Sequence, residues 1–328
     1  MIPLLIHSSQ SPFQIQRDLI ASFDARQVKH KFHYDSPRQT RRWLHLHEAF
    51  SPARTDTDCQ AAYQKAYEAG VKQLTKPHLH LVGLGCGGGK KEAELLRLAA
   101  PSIPFLKYTP TDVSTAMCTV AYEEAQKLRL PNLQLEPGVV WDMETTSDWR
   151  KPLPNEAIDE GTRCYTFFGM LPNFEPDLAF DRLSALLRPG DFLLASANLA
   201  PGANYLEGIH SVIGGYDNPL CHEWLRQILI DHEIDDAGTL RFQISSPRTP
   251  HKLRRIEALF ELQRDIRLDL EGHRVTAKAK TEILLFYSYR YQLKQIQNLC
   301  RSEGLELLST QSNSGQTEVV FLCRKESP

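Results

Sequence analysis

The chain has 328 residues, of which 41% are hydrophobic and 24% charged, values that predict a folded core and argue against wholesale disorder. It carries 38 lysine and arginine residues against 40 aspartate and glutamate residues, a net charge of −2 that argues against binding to nucleic-acid phosphates. Its seven cysteines have irregular spacing and no C-x-x-C pair, which favours reduced thiols in the cytoplasm over disulfides or a zinc site. We find no signal-peptide pattern and no apolar run long enough to span a membrane, so we expect neither secretion nor a membrane partner.

The N-terminal part of the chain is polar and locally basic, and its apolar spacing predicts helices at residues 11–23 and 58–74. From residue 79 onward, strands and helices alternate, which predicts a parallel sheet with helices on both faces. The predicted strands lie at residues 79–84, 105–112, 133–140, 163–168 and 192–197. The predicted helices lie at residues 91–99, 114–128 and 177–187, the second with Ser114 as its N-cap.

The alternation stops after residue 198. Residues 201–280 have mainly helical patterns, with short strands near Phe242 and at residues 267–270, and they are too many for a crossover loop. A strand at residues 281–289 and a helix at 293–303 follow, and residues 305–311 and 318–324 form a predicted hairpin. A sheet that ends in an antiparallel hairpin is typical of methyltransferases and differs from the ordinary dinucleotide-binding fold.

These patterns predict an α/β protein with a Rossmann-like class I methyltransferase sheet and a second, smaller substrate domain. We expect four parts: an N-terminal helical part at residues 1–75, a cofactor-binding domain at 76–200, an inserted subdomain at 201–280, and a return to the main sheet at 281–328. The first and third parts together are expected to form the substrate domain.

The strongest chemical signal is a glycine-rich turn at residues 83–89 (GLGCGGG), between a buried strand and an amphipathic helix. Glycines there allow the backbone to approach a ligand and place it at a helix N-terminus. The G-x-G-x-G pattern differs from the pyrophosphate fingerprint, although Gly88 and Gly89 blur that distinction. Lys90 is followed by a second lysine, which excludes a Walker-type nucleotide site. A tight turn that binds no ligand is the alternative interpretation.

Two acidic residues follow the next predicted strands. Asp112 has the spacing at which a carboxylate accepts hydrogen bonds from ribose hydroxyls, or else it caps the following helix. Asp142 is placed to accept the exocyclic amine of an adenine with Met143 against the ring, or else it caps a loop. Together these features resemble a class I S-adenosylmethionine (SAM)-dependent methyltransferase more than a hydride-transfer enzyme.

Five segments, in the same order, resemble motifs of the histidine-specific N-alpha-methyltransferases of ergothioneine biosynthesis. They are residues 31–35 (KFHYD), 50–56 (FSPARTD), 165–176 (YTFFGMLPNFEP), 215–218 (GYDN) and 287–291 (YSYRY). The resemblance extends from about residue 28 to 325 and covers nearly the whole chain. It implies SAM as cofactor and an amino-acid-like small molecule as substrate.

The resemblance implies that the cofactor is contacted by Gly85, Lys91, Asp112 and Asp142, and the local motifs add Gly83, Gly87 and Met143. The substrate residues that we infer are Asn173, Tyr216, Phe50, Phe286 and Ser288. Asn173 and Tyr216 are implied to hold the α-carboxylate. Tyr34 is the implied catalytic residue near the α-amine, where it accepts the ammonium proton or orients the neutral amine. In the alternative interpretation, Asn173 caps the helix that begins near Glu175 and the two tyrosines only pack.

Two departures from the family affect the substrate side chain. The family's imidazole-binding acidic residue is Phe286 here, Glu282 lies four residues too early, and Phe50 replaces a tyrosine. Because a site that lacks these polar partners cannot favour an imidazole, we expect an apolar, aromatic or modified amino acid rather than histidine. Gly83 also stands where many methyltransferases have an acidic residue.

Other patterns carry less information. His45, His47 and Glu48 suggest a metal site, but the pattern is more typical of a surface helix, and we predict no metal. The basic run at residues 252–255 is expected to lie on a solvated helical face. Two further functions stay open: a methyltransferase for an unrelated small molecule, and a SAM-binding homologue without catalysis.

Overall fold

The computed structural model describes residues 2–153, 161–247 and 251–326. The strands are β1 (Leu4–Ile6), β2 (His78–Leu84), β3 (Phe105–Asp112), β4 (Leu133–Leu135), β5 (Gly138–Val140), β6 (Gly161–Phe167), β7 (Phe192–Asn198), β8 (Gly238–Ser245), β9 (Arg254–Leu262), β10 (Ile266–Leu270), β11 (His273–Ala277), β12 (Glu282–Arg290), β13 (Leu305–Ser312) and β14 (Glu318–Lys325). The helices are α1 (Pro12–Asp24), α2 (Pro37–Phe50), α3 (Pro52–Thr55), α4 (Thr57–Gln73), α5 (Lys90–Ala99), α6 (Thr115–Lys127), α7 (Pro176–Leu186), α8 (Tyr205–Ile213), α9 (Pro219–Asp231) and α10 (Leu293–Ser302).

The large sheet has the strand order β1-β5-β3-β2-β6-β7-β14-β13, with β4 beside the first half of β3. Its strands are parallel from β1 to β7, whereas β14 runs antiparallel to both β7 and β13. This arrangement confirms the predicted Rossmann-like methyltransferase sheet with a terminal antiparallel hairpin. The short edge strand β1 was not predicted, and the strand expected at residues 133–140 is divided into β4 and β5.

Both faces of the large sheet are buried. On one face, Tyr63 of α4 and Leu95 of α5 pack with Tyr108 of β3. On the other, Phe180 of α7 and Leu299 of α10 pack against the strands. Because its strands are covered on both sides, the parallel part of the sheet needs the continuous apolar runs that the sequence contains.

A second hydrophobic core lies outside the large sheet. Phe23 and Phe32 from the N-terminal segment pack with Trp224 of α9, Phe260 of β9 and Phe286 of β12. The N-terminal segment and the insertion therefore share one core. Strands β12, β9 and β8 form an antiparallel sheet within this region, and β10 pairs with β11.

The prediction of mainly helices for residues 201–280 is wrong for its second half. The helices α8 and α9 and a short 3₁₀ helix at Asp235–Ala237 lie in the first half, and the described residues from Gly238 onward form β8, β9, β10 and β11. The β9 sequence RRIEALFEL contains good helix formers, but pairing with β8 and β12 on its two edges makes it a strand. The basic run at residues 252–255 likewise does not form a helical face, since Arg255 lies on β9 and is partly buried.

The strand predicted at residues 281–289 was expected to rejoin the large sheet, and this placement is wrong. Strand β12 pairs with β9 in the small sheet, with an irregularity between Leu284 and Phe286. The chain returns to the large sheet only after α10, through β13 and β14. An apolar strand pattern indicates a strand but not which neighbour it pairs with, which explains the error.

Candidate active site

A cavity of about 740 Å³ lies where the carboxyl ends of the parallel strands face the second core. Of the residues predicted for the site, those that line it are Tyr34, Phe50, Gly85, Gly87, Lys91, Asp112, Asp142, Met143, Asn173, Tyr216, Phe286 and Ser288. The predicted cofactor and substrate residues are thus brought together in one space, with the exception of Gly83.

Gly83 lies in β2, behind the cavity wall. A Cβ atom at this position would be 3.3 Å from the Tyr108 hydroxyl oxygen and 3.4 Å from Cγ of Glu92. Glu92 itself lines the cavity, and its buried carboxylate accepts a hydrogen bond of 2.9 Å from the Thr166 hydroxyl. Burial raises the pKa of Glu92. Because position 83 has no side chain, there is room beside it for the Glu92 side chain, which comes from α5.

The glycine-rich turn is tied to Asp112 at the end of β3. The Gly87 amide donates to Asp112 Oδ2 at 3.0 Å, and the Ser114 amide donates to Oδ1 at 3.0 Å. Gly87 has a φ of +51°, a left-handed conformation that favours glycine. Ser114, rather than Asp112, is the N-cap of α6, as predicted. Each carboxylate oxygen of Asp112 therefore keeps a lone pair for a further donor such as a ribose hydroxyl.

Asp142 occupies the corresponding position after β5. Its Oδ1 accepts hydrogen bonds from the amides of Glu144 (2.9 Å) and Thr145 (3.3 Å), so this oxygen does cap a turn. Its buried Oδ2 forms an ion pair of 3.1 Å with Lys31 but no hydrogen bond within the described part of the chain. An acceptor with a free lone pair, next to Met143, fits the exocyclic amine of an adenine.

Lys91 reaches the cavity from the first turn of α5. Its ammonium donates to the Tyr63 hydroxyl at 2.8 Å and lies 4.3 Å from the centre of the Tyr63 ring. The single proton of the Tyr63 hydroxyl is donated to the Glu318 carboxylate, and the Ser196 hydroxyl lies within hydrogen-bond distance of the Tyr63 oxygen, at 2.9 Å. Burial lowers the pKa of Lys91, and the nearby Glu318 carboxylate opposes that effect. Lys91 and Glu318 together present both signs of charge, which suits the zwitterionic methionine part of a SAM molecule.

The polar groups on the other side of the cavity come from the elements that form the second core. The Tyr216 hydroxyl donates to Ser288 Oγ at 2.9 Å, and Arg290 Nη2 donates to the Tyr216 hydroxyl at 2.7 Å. Asn173 lies after β6 and lines the same cavity. Glu175 is the N-cap residue of α7, so Asn173 does not cap that helix.

Aromatic rings form a continuous wall on this side, made of Tyr34, Trp43, Trp224 and Phe286. Tyr34 lies 5.9 Å from Trp43 and 5.7 Å from Trp224, and Trp224 lies 5.3 Å from Phe286. Burial raises the pKa of the Tyr34 phenol far above its ordinary value, and Asp112 adds to this effect, so the hydroxyl stays protonated. Phe50, by contrast, is 50% exposed at the end of α2.

Among the cavity residues that sequence reasoning missed are Trp43, Trp224, Arg290 and Glu318. Arg290 carries a signal that was available, because it alternates with Phe286 and Ser288 along β12 and so shares their face. Trp224 has no such signal, since its proximity to Phe286 depends on how α9 packs against β12.

Two residues of the suggested metal site, His47 and Glu48, also line the cavity, and each has a partner of another kind. Glu48 forms an ion pair with Lys90 at 2.6 Å, and His47 stacks on Trp43 at 4.8 Å. The described ranges contain no group of three or more side chains that could hold a metal ion. All seven cysteines are buried and free, as expected for reduced thiols. No helix among the described residues is long and apolar enough to cross a membrane.

Comparison with solved structures finds similar folds at low sequence identity. The magnesium protoporphyrin IX methyltransferase of Synechocystis is 12% identical, with a TM-score of 0.44 over 90% of this chain and 98% of that chain. The 1,6-didemethyltoxoflavin-N1-methyltransferase of Burkholderia thailandensis is 12% identical, with a TM-score of 0.41 over 89% and 91%. A SAM-dependent methyltransferase of Aquifex aeolicus is 12% identical, with a TM-score of 0.42 over 86% and 97%.

Sequence comparison is more specific. No curated protein sequence matches the chain significantly. The profile of a family described as histidine-specific, SAM-dependent methyltransferases matches residues 50–325. Because this match spans most of the chain, the protein belongs to the histidine-specific, SAM-dependent methyltransferase family, and SAM is its cofactor.

Proposed function

We propose that the enzyme methylates the α-amine of an amino acid or amino-acid-like small molecule other than histidine. The observation that carries this proposal is the single cavity, which Asp112 and Asp142 line on the sheet side and Tyr216 and Ser288 line on the side of the second core. Methyl transfer is an in-line displacement, so donor and acceptor must share one enclosed space. When bound, SAM supplies the activated methyl group on its sulfonium.

The polar groups support a zwitterionic substrate. The Asn173 side chain is not used to cap α7, and the Tyr216 hydroxyl is held by Arg290 and Ser288. The Asn173 amide is suited to donate hydrogen bonds to a carboxylate, and the Tyr216 hydroxyl donates to one when its single proton turns from Ser288 to the ligand. We therefore assign Asn173 and Tyr216 to the α-carboxylate.

The side-chain end argues against histidine. Phe286 is 7% exposed and packs between the His30 ring, stacked at 4.9 Å, and Trp224. Glu282 does not compensate, because it is exposed on the far end of β12, where it pairs with Arg241. An imidazole in this position would lose the hydrogen bonds that it makes in water without an acidic partner to replace them. The apolar and aromatic surroundings suit an apolar or aromatic side chain instead.

Tyr34 then orients the amine and does not remove its proton. Its phenol is held protonated by burial, so it lacks the basicity that proton removal from an ammonium group requires. The aromatic rings of Trp43 and Trp224 beside Tyr34, and of Phe286 beside Trp224, favour a methylated amine that carries a positive charge.

The test is turnover on a panel of small molecules, scored by mass spectrometry for the gain of one, two or three methyl groups. The panel contains histidine, apolar and aromatic amino acids, and the corresponding amines without a carboxylate. We expect methylation of an apolar or aromatic amino acid and none of histidine or of the simple amines. Methylation only of molecules without an amino-acid group would favour an unrelated small-molecule substrate. Calorimetric binding of SAM without any turnover would favour a non-catalytic homologue.

A pair of variants tests the assignment of the carboxylate site. Asn173→Ala should raise KM for the amino acid, because it removes a donor from the cavity. Asn132→Ala is the matched control, since the Asn132 amide donates to the carbonyls of Ala100 and Ile103, away from the cavity. An equal effect of both substitutions on KM would contradict the assignment.

A further inference from the structure

The guanidinium of Arg290 is a buried cation that faces the cavity and lacks an acidic partner in the described residues. Arg290 is 7% exposed and lines the cavity. Its Nη2 donates to the Tyr216 hydroxyl at 2.7 Å and its Nη1 donates to the Leu199 carbonyl at 3.4 Å. Its Nε has no hydrogen-bond partner within the described ranges, and no ion pair with a described carboxylate is present. A buried charge in this state is costly unless an anion joins it.

Other buried cations nearby do have acidic partners. Lys31 pairs with Asp18 at 2.6 Å and with Asp142 at 3.1 Å. Arg255, on the neighbouring strand β9, pairs with Glu175 and Glu257 at 3.2 and 2.8 Å. Arg290 therefore differs from its neighbours, and the missing anion is expected from a ligand.

The position of Arg290 identifies where that anion binds. Phe286, Ser288 and Arg290 alternate along β12, and all three line the cavity. The Tyr216 hydroxyl lies between Arg290 and Ser288, at 2.7 and 2.9 Å. Arginine, tyrosine and serine thus converge on the substrate side, and a planar guanidinium with unused N–H donors matches the geometry of a carboxylate.

We propose that Arg290 binds a carboxylate of the substrate through the guanidinium N–H donors that the Leu199 carbonyl and the Tyr216 hydroxyl leave unused. This inference rests on the proposed function, to which it adds the requirement for a negative charge next to β12. The carboxylate is either the α-carboxylate or one on the side chain of the substrate. The chemistry is the same in both cases, and the choice of probes separates them.

The test measures binding by calorimetry to the full chain loaded with S-adenosylhomocysteine, so it needs no turnover. The probes are L-phenylalanine, 3-phenylpropanoate without the amine, 2-phenylethylamine without the carboxylate, and L-glutamate with a second carboxylate. Some carboxylate probes will bind to the wild type, and we expect Arg290→Gln to lower the affinity for these probes roughly ten- to a hundredfold, because a charge-assisted pair is lost. The affinity for 2-phenylethylamine should not change in this variant. Arg255→Gln is the matched control, an arginine of the same small sheet that lies outside the cavity wall.

The pattern among probes identifies the carboxylate. Arginine-dependent binding of phenylalanine and phenylpropanoate indicates the α-carboxylate, and arginine-dependent binding of glutamate alone indicates one on the side chain. Equal losses in the Gln variants of Arg290 and Arg255, or no binding of any carboxylate probe to the wild type, would overturn the inference.

A second variant covers the case in which Arg290→Gln does not fold. Arg290→Lys keeps the charge but not the planar fork, and it should bind the carboxylate probes with intermediate affinity.

In the wild type, equal affinity for phenylalanine and phenylethylamine, with no binding of glutamate, also contradicts the inference. If Arg290-dependent carboxylate binding occurs but no amino acid is methylated, the proposed reaction fails and the inference stands. If Arg290→Gln changes methylation but not probe binding, the inference alone fails.

Discussion

The amide of Gly87 donates a hydrogen bond of 3.0 Å to Oδ2 of Asp112, which ties the glycine-rich turn after β2 to the end of β3. The Ser114 amide holds the other oxygen at the same distance. Two backbone donors from different segments therefore orient one buried carboxylate, which lines the cavity and keeps lone pairs for a further donor. The carboxylate is thus pre-oriented as an acceptor, which suits a ligand with hydroxyl groups.

Replacement of Asp112 should therefore weaken cofactor binding. In Asp112→Ala we expect the affinity for S-adenosylhomocysteine to fall about ten- to a hundredfold, since hydrogen bonds to a charged group are worth about 1.5–3 kcal/mol. Isothermal titration calorimetry measures this loss. The matched control is Asp191→Ala, because Asp191 also accepts hydrogen bonds from two backbone amides, those of Arg163 and Arg188. Asp191 directly precedes β7, at the amino ends of the parallel strands and so at the end of the sheet opposite to Asp112. A similar loss of affinity in both variants would mean that the effect is on folding rather than on the ligand.

Cofactor binding should also depend on pH through Asp112. Burial raises the pKa of this carboxyl from 3.8 to about 6. In the unliganded protein the folded state holds this proton more tightly than the unfolded chain does, so the stability contributed by the protonated group is lost as the pH rises from about 4 to about 6. A ribose hydroxyl needs the ionised acceptor, so the affinity for S-adenosylhomocysteine should increase as the pH rises through about 6.

Calorimetric titrations of the protein with S-adenosylhomocysteine from about pH 5 to about pH 8 check this expectation. The affinity should change near the raised pKa of Asp112. The Asp112→Asn variant should show no change in affinity centred at that pH, because the amide does not titrate. Glu144 is a second group in the cavity whose pKa is raised, to about 7, by burial and by Asp142. Glu144→Gln therefore serves as a control, and loss of the pH dependence in this variant alone would assign it to Glu144.

The positions of the proposed cofactor residues in the cavity could be predicted because these residues follow predictable strands. Asp112 and Asp142 come directly after β3 and β5, and the carboxyl ends of parallel strands meet at one edge of a sheet. The alternation of strands and helices was therefore enough to predict where both carboxylates lie. Gly83, which was predicted to contact the cofactor, does not line the cavity, and the sequence does not indicate that Glu92 lies beside it.

The substrate side was less predictable because it depends on contacts between distant segments. Trp224 meets Phe286 only because α9 packs on a small sheet that the sequence did not indicate. Residues 254–262 contain glutamate, alanine and leucine, which favour helices, and only pairing with β8 and β12 makes them a strand. Tertiary packing therefore decided this region, whereas Arg290 could have been found from its alternation with Phe286 and Ser288 along β12.

Tyr34→Phe should lower kcat without changing the shape of the pH–rate profile. The phenol is protonated throughout the working range because burial raises its pKa, so its contribution is one hydrogen bond. Loss of such a bond corresponds to a decrease of roughly two- to tenfold. Tyr67→Phe is the control, since this buried tyrosine packs in the core under α4 and does not line the cavity. A decrease of a hundredfold or more, with one limb of the profile removed, would identify Tyr34 as the proton acceptor instead.

Lys31→Met should destabilise the fold because it leaves two carboxylates without their shared cation. Lys31 is 3% exposed and pairs with both Asp18 and Asp142, and loss of one partner of a buried pair costs about 3–5 kcal/mol. Denaturant unfolding measures the change in free energy. Lys29→Met is the comparison, because Lys29 pairs only with Asp18 and its side chain is 26% exposed, so the loss should stay near ~1 kcal/mol. Equal losses would show that the buried pairing of Lys31 has no special contribution.

Phe286 and Phe50 should differ in their effect on successive methylations. Phe286 belongs to the aromatic wall, 4.9 Å from His30 and 5.3 Å from Trp224, whereas Phe50 is half exposed. A cation held against an aromatic face gains about 0.5–2 kcal/mol, and the amine carries a fixed charge only once it is fully methylated. We therefore expect Phe286→Leu to slow methylation of the dimethylated amine about two- to thirtyfold relative to the unmethylated amine. Phe50→Leu should leave this ratio nearly unchanged, as measured by mass spectrometry with each amine supplied separately. If Phe286→Leu slowed all three steps equally, its ring would shape the substrate pocket without stabilising the charge.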